Sequence, residues 1–289
     1  MNIGDMVMVA AKVWLAIVEY WPTVWAFLNS VFFTSIVGAS AGAAAGAFGA
    51  QRIVERTRYR EQLLREIRDT NAATSIAFAI CNTLLSIKRQ HVKRLKEEFD
   101  ASAAALREFK NNRESGKIGR DVEFEFRADL QTLSLPPLPI DILISHVFEK
   151  LSLVGRPLML TTQLSQTIPD LRTIMEKRNQ LIANYMAGKP PLTPQLYFGL
   201  QQGDIVNEEY PSCVEGISRL TDDVIFFSQL LNKDLTKHGN ELSKKFTAQF
   251  GRGAPIISES DFKPAEDAGL MPDAKLYPDW FSAFKKKGK

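Results

Sequence analysis

VWAFLNSVFFTSIVGASAGAAAGAF, residues 24–48, contains no charged residue, and within it Gly38, Gly42 and Gly46 stand four apart. The uncharged gap is wider still, running from Glu19 to Arg52. A hydrocarbon core roughly 30 Å thick takes about 20 apolar residues of helix to cross, so the stretch predicts a transmembrane helix over about 24–48. Glycines at this spacing fall on one helix face, where the missing side chains let a second helix approach closely. An alanine-rich membrane helix matches a small-xxx-small pattern by composition alone. The strict spacing, with Ala41 and Ala45 beside it, instead reads as a packing face whose partner is either a second copy or the chain's own first segment.

Outward from this stretch, Trp21 and Trp25 suit an aromatic interfacial belt at one end, and Arg52, Arg56, Arg58, Arg60, Arg65 and Arg68 follow the other. Excess arginine beside a span marks the cytoplasmic side, which puts the main body of the chain in the cytoplasm. Residues 6–20 are apolar apart from Lys12 and Glu19. They read either as a second span, with Tyr20-Trp21-Pro22-Thr23 turning a hairpin, or as an interfacial helix whose Lys12 snorkels toward headgroups. A lysine near mid-bilayer costs about 2.5–3.5 kcal/mol on insertion scales. The start is not basic and the strong apolar run begins late, so no cleavable signal peptide is expected.

The composition of the 289 residues, 45% hydrophobic and 24% charged, is that of an ordinary folded protein. A net charge of +3 is too small to mark a nucleic-acid binder. The two cysteines, Cys81 and Cys213, fall in apolar helical patterns and read as buried thiols in a reducing compartment rather than a disulfide.

The chain divides into three regions: a membrane segment over 1–50, a cytoplasmic helical bundle over 51–250 and an irregular tail over 251–289. Residues 50–115 hold neither proline nor glycine, so nothing there has to break a helix. The stripe Leu64, Ile67, Asn71, Thr74, Phe78, Cys81, Leu85, Val92, Leu95, Phe99 steps mostly by three and four, as an amphipathic helix does. Asp69-Thr70-Asn71 either breaks that helix, since such residues favour caps, or leaves Asn71 as a polar register-setter on the seam. Residues 121–127 alternate at period two and predict a short extended segment. Pro136, Pro137 and Pro139 announce a helix over 140–153. A helical stretch over 157–186 contains Pro169, which predicts a kink or two helices. Residues 188–203 read as a loop. The last long helix carries Cys213, Ile217, Leu220, Val224, Phe227, Leu231, Leu235, His238 and Leu242 on one stripe, with Pro211 suited to its first turn. Long helices with apolar stripes and short links close into an antiparallel bundle.

The residues able to do chemistry are few and scattered. His91, His146 and His238 lie on three predicted helices, without the local pairing of a metal site. His238 continues a core stripe and reads as a hydrogen-bonded core residue. Asp222 and Asp223 are adjacent, so they diverge on a helix and read as a solvated face rather than an acid/base pair. Gly251-Arg-Gly253 lacks the context of a phosphate loop and reads as a link. Lys88, Arg89, Lys93 and Lys96 share a flank of an ideal helix and form a candidate anion or headgroup contact. Glu97, Glu98 and Asp100 come directly after them, and no aromatics interleave to stack bases, so nucleic acid is not expected. Trp280, Phe281 and Phe284, with Lys285, Lys286, Lys287 and Lys289, form a second candidate contact for an anionic leaflet; the alternative is docking of the aromatics onto the bundle.

The sequence therefore predicts an all-α protein, with an N-terminal transmembrane helix or two-helix hairpin followed by a long-helix cytoplasmic bundle. No catalytic, cofactor or metal residues stand out, and a non-enzymatic protein is expected. The leading function is a scaffold in a bacterial inner membrane that self-associates through Gly38, Gly42 and Gly46 and recruits a cytoplasmic protein. A second reading is an effector whose glycine helix oligomerises to permeabilise the bilayer; a third is an enzyme with no recognisable motif.

Overall fold

Apolar side chains spaced by three and four demand helices, and in the computed structural model every regular element among the described residues (3–119, 121–201 and 206–284) is helical. The chain divides into two units, Met1–Gln62 and Leu63–Lys289.

The first unit begins with α1 (Ile3–Leu28), which carries Pro22 in its interior. Tyr20-Trp21-Pro22-Thr23 is thus helix and not a hairpin turn. The turn comes at Asn29 and Ser30, ahead of α2 (Val31–Ile87), so residues 24–48 are not one continuous helix either. Asn29 donates both its backbone N–H and its side-chain amide to the Trp25 carbonyl, at 3.0 and 3.1 Å. The Ser30 N–H reaches the Phe27 carbonyl at 3.1 Å, and the Thr34 hydroxyl bonds back to the Ser30 carbonyl at 3.0 Å. Asn and Ser offer the backbone such local partners, whereas Pro22 has no N–H to give the ladder of α1.

In the second unit, α2 runs through Asp69-Thr70-Asn71 without a break. It passes through a π-helical turn (Lys88–Val92) into α3 (Lys93–Glu114). Residues 121–139 are irregular, with no strand formed over 121–127. They lead into α4 (Ile140–Ser145) and a second π turn (His146–Lys150), which ends the predicted helix a few residues early. Helix α5 (Arg156–Met186) is a single element that accommodates Pro169; it is not two helices. The loop after it contains the short α6 (Pro194–Phe198). Then comes α7 (Glu209–Phe250), and after it α8 (Lys263–Asp267), a 3-10 turn and α9 (Pro278–Ser282).

The packing is bundle-like. Contacts Glu66–His238, Thr74–Asn232, Cys81–Ile225 and Lys88–Asp222 descend along α7 as they ascend α2, so the two helices are antiparallel. Pairs Arg156–Asp234 and Lys177–Glu209 make α5 antiparallel to α7 as well. Leu84, Leu143, Leu160, Leu164, Leu171, Ile217, Val224, Leu231 and Leu235 are fully buried among these elements. Small residues set the approach. A Cβ on Gly216 would sit 2.2 Å from Ile174 Cδ1, and one on Gly239 would sit 2.8 Å from Ile257 Cδ1.

A helical run over Gly38–Glu114 is long and apolar enough to cross a membrane by length and composition, with a window of mean hydropathy 1.3. Of that window 44% is buried inside the protein, so part of its apolarity belongs to the core.

Candidate functional site

Among the described residues of the first unit, the large apolar side chains are exposed. Trp14 is 68% exposed, Val31 83% and Phe48 71%, and Met8, Leu15, Trp21, Trp25, Phe27 and Ile53 are exposed with them. A soluble surface rarely leaves a contiguous apolar area beyond a few hundred Å² uncovered without a lipid or protein to meet it. Along α2, a Cβ built on Gly38, Gly42 or Gly46 meets nothing within 4 Å. The predicted packing face is therefore open among the described residues, and α1 does not fill it.

The predicted basic flank does not survive as one surface. The π turn at Lys88–Val92 inserts an extra residue into the helical ladder and rotates the downstream residues relative to an ideal helix. Lys88 turns inward, paired with Asp222 at 2.6 Å and donating to the Leu270 carbonyl at 2.9 Å. Lys96 is shared between Asp100 and Glu215, Lys93 is half-buried, and Arg89 is exposed. Arg89 edges a groove of about 240 Å³ between α2 and the C-terminal segment, floored by Phe78, Leu85, Phe262 and Leu270.

At the C-terminus the aromatics dock. The Tyr277 ring stacks on Phe226 at 3.8 Å between centroids and Trp280 meets Phe227 at 5.0 Å. Phe281 sits edge-on to Phe226 at 5.9 Å, and Phe284 stacks on Trp280. Lys285, Lys286, Lys287 and Lys289 lie outside the described residues. Docking also corrects the solvated-face reading of the adjacent aspartates. Asp222 holds Lys88, and Asp223 accepts from the Tyr277 hydroxyl at 2.7 Å. Burial pushes the Asp223 carboxyl up from its ordinary range.

Two clusters join residues that the sequence reading did not bring together. In the first, Glu66 Oε1 accepts from the Ser152 N–H at 3.0 Å and from the Ser152 hydroxyl, with His238 Nε2 at 3.2 Å. Asp69 Oδ1 lies 3.6 Å from His146 Nδ1, and Arg156 grips Asp234 with two bonds. A nucleophile relay places the imidazole against the hydroxyl; here the carboxylate lies between the two. Burial raises the Glu66 pKa, but the Ser152 hydroxyl and N–H and then His238 outweigh it and hold the carboxyl below its usual range. That makes it a poor base and a good latch. Its folded pKa lies below its unfolded one, so the stability it contributes is present above the ordinary carboxylate pKa and lost as pH falls through the folded value. Thermal melts of the full chain between about pH 6 and pH 3 should therefore fall more steeply for the wild type than for Glu66→Gln. Parallel slopes would remove Glu66 from the account.

The second cluster centres on Arg178, whose side chain is fully buried. It donates to the carbonyls of Gln131 at 2.7 Å and Asp129 at 3.1 Å, with its guanidinium 5.5 Å over the Tyr210 ring. Asn179 closes a reciprocal pair with the Leu133 backbone, at 3.0 and 2.6 Å. Tyr210 donates to the Asp129 carbonyl, while the Asp129 N–H donates to the Tyr197 hydroxyl. Burial pushes both tyrosine hydroxyls up. The signal was in the sequence: Leu171, Met175, Arg178 and Ile182 step by four, three and four, so an arginine occupies a core position of α5.

The thiols are chemically quiet. Burial pushes Cys81 up to about 11 and raises Cys213 as well, which keeps both away from the reactive thiolate form. Among the described residues no group of three His, Cys, Asp or Glu side chains is placed to hold a metal ion. Set beside known proteins, the chain matches no family model, no curated protein and no solved structure.

Proposed function

We propose that this chain is a membrane-anchored, non-enzymatic helical scaffold. In this reading the first unit lies in the lipid of a bacterial inner membrane and self-associates through Gly38, Gly42 and Gly46, while the second unit recruits a protein partner on the cytoplasmic side. The observation that carries it is the exposure of the large apolar side chains described between Met6 and Val54, with nothing within 4 Å of a Cβ on Gly38, Gly42 or Gly46 among the described residues. The arginines from Arg52 to Arg68 supply the orientation. The latches found in the second unit fasten its own elements together, which suits a body that presents a surface rather than turning over a substrate.

The test is fractionation combined with one substitution. The full chain should pellet with membranes and resist carbonate extraction, and a reporter fused after Lys289 should behave as cytoplasmic. Gly42→Leu fills the face and should lower cross-linked oligomer yield in detergent several-fold while leaving helicity unchanged. Recovery in the soluble fraction without detergent overturns the anchor. Unchanged assembly in Gly42→Leu overturns the packing face.

A further inference from the structure

Helix α7 is apolar on more than the side that meets α2 and α5. Phe226, Phe227 and Leu230 are each less than a tenth exposed, and the aromatic partners of the two phenylalanines, apart from each other, all come from the segment after α7. That segment turns at Gly251 and Gly253, whose φ angles are +78° and +114°, and returns antiparallel along α7 to residue 284. It is held at separate stations. The Asn71 amide donates to the Ile256 carbonyl and accepts from the Ser258 N–H. Asn232 donates to the Ser260 hydroxyl, and the Phe262 ring meets Phe78 at 5.6 Å. Lys88 takes the Leu270 carbonyl, and Tyr277 closes on Asp223 and Phe226.

The helices of this strap, Lys263–Asp267, Ala274–Leu276 and Pro278–Ser282, are three to five residues long. Pieces that short have no stability of their own, so the strap takes its order from the seat. The seat in turn needs the strap, because without it the Phe226 and Phe227 rings lose the aromatic cover of Tyr277, Trp280 and Phe281 and form an exposed apolar patch. A self-complementary segment joined by a glycine hinge can make the same contacts on a second copy at little cost beyond opening the hinge.

We propose that the strap of residues 254–284 exchanges between copies, each chain's Tyr277, Trp280 and Phe281 seating on Phe226 and Phe227 of its neighbour. The partner is a second copy of this chain, because the one ligand known to fit the seat is this chain's own segment. The closed form is favoured at low concentration, since a tethered strap sees its seat at millimolar effective concentration. Exchange grows where copies are crowded or where the hinge resists closing. It requires two copies but not the glycine face, so it stands apart from the assembly proposed above.

The experiment uses the full chain in detergent, co-purified as two differently tagged copies, each with a photo-reactive benzoylphenylalanine replacing Phe281. In the wild-type hinge, illumination should give mostly cross-links within one chain, and a tag-to-tag species that grows with chain concentration and maps to α7 near Phe226. A β-branched side chain is strained at the positive φ of the closed hinge, so Gly251→Val with Gly253→Val should raise the tag-to-tag fraction at least three-fold. In a Gly42→Leu background the tag-to-tag species should persist. A fraction independent of concentration, one mapping away from α7, or one lost with Gly42→Leu overturns the exchange. Because the concentration series needs no hinge variant, misfolding of the valine chain does not shield the proposal.

Discussion

Phe227→Ala combined with Leu231→Ala should abolish most of the helicity of the second unit at room temperature. Leu231 is fully buried and Phe227 nearly so. Leucine and phenylalanine truncations cost about 2–5 and 3–5 kcal/mol respectively, the transfer and cavity terms together. A domain has only about 5–15 kcal/mol in total. The two positions are one turn apart on α7, so their effects couple rather than add, and Phe227→Ala also removes the floor under Trp280. Circular dichroism of the detergent-solubilised full chain should therefore show Leu231→Ala weakened but folded, and the double variant largely unfolded. A double variant that melts within a few degrees of the wild type would show that α7 is not the central element of the core.

Arg178→Ala carries the second large effect. The substitution removes a buried guanidinium, leaves the Gln131 carbonyl without its donor and the Asp129 carbonyl with the Tyr210 hydroxyl alone, and opens space beside Tyr210. An acceptor left unsatisfied costs about 1–3 kcal/mol, and the lost bond at Asp129 and the lost volume add to it. A total of roughly 3–5 kcal/mol corresponds to a Tm lower by about 6–20 °C in a unit of this size. Arg178→Lys should recover little, because an ammonium cannot serve two carbonyls with the fork of a guanidinium. Hydrogen exchange gives the specific signature: the Leu133 amide, held by Asn179 Oδ1, and its neighbours should lose protection before the helices do. Wild-type melting in Arg178→Ala would contradict the clamp.

The stripe of α7 was legible because its large apolar residues mark their own period, and Ile217, Val224, Leu231 and Leu235 are buried as that period requires. On α2 the stripe members Ile67, Thr74, Cys81 and Leu85 are buried as predicted. The reading took Leu64 where Leu63 carries the burial, and it passed over Thr70, Ala73 and Ala77, all fully buried. Close helix approach selects small side chains, and hydropathy gives those little weight. Pro22 drew the turn toward itself because proline interrupts helices, but the Asn29-Ser30 pair satisfies the backbone locally and takes the turn instead. The π turn at Lys88–Val92 has no compositional mark, so the basic flank read from an ideal helix came apart. Asp222 and Asp223 looked solvated because their partners, Lys88 and Tyr277, are far away in sequence. The glycine spacing is plain in the sequence, and among the described residues nothing lies within 4 Å of a Cβ built on Gly38, Gly42 or Gly46.

The interior of the second unit also holds hydroxyls that speak only to their own helices. Thr74 bonds back to the Thr70 carbonyl, Thr161 to Pro157, Thr167 to Gln163 and Thr221 to Ile217. Such bonds relieve the donor without tying one helix to the next, so these side chains supply volume and little addressing information. Between α2 and α7 that information comes from cross-helix pairs such as Glu66–His238 and Lys88–Asp222 and from the Asn232 amide, which reaches across to the Thr74 carbonyl at 2.9 Å and to Ser260 at 3.1 Å. That amide thus ties two helices and a strap at one point, and a drifting sequence can trade the hydroxyls for methyl groups far more freely than it can trade the amide.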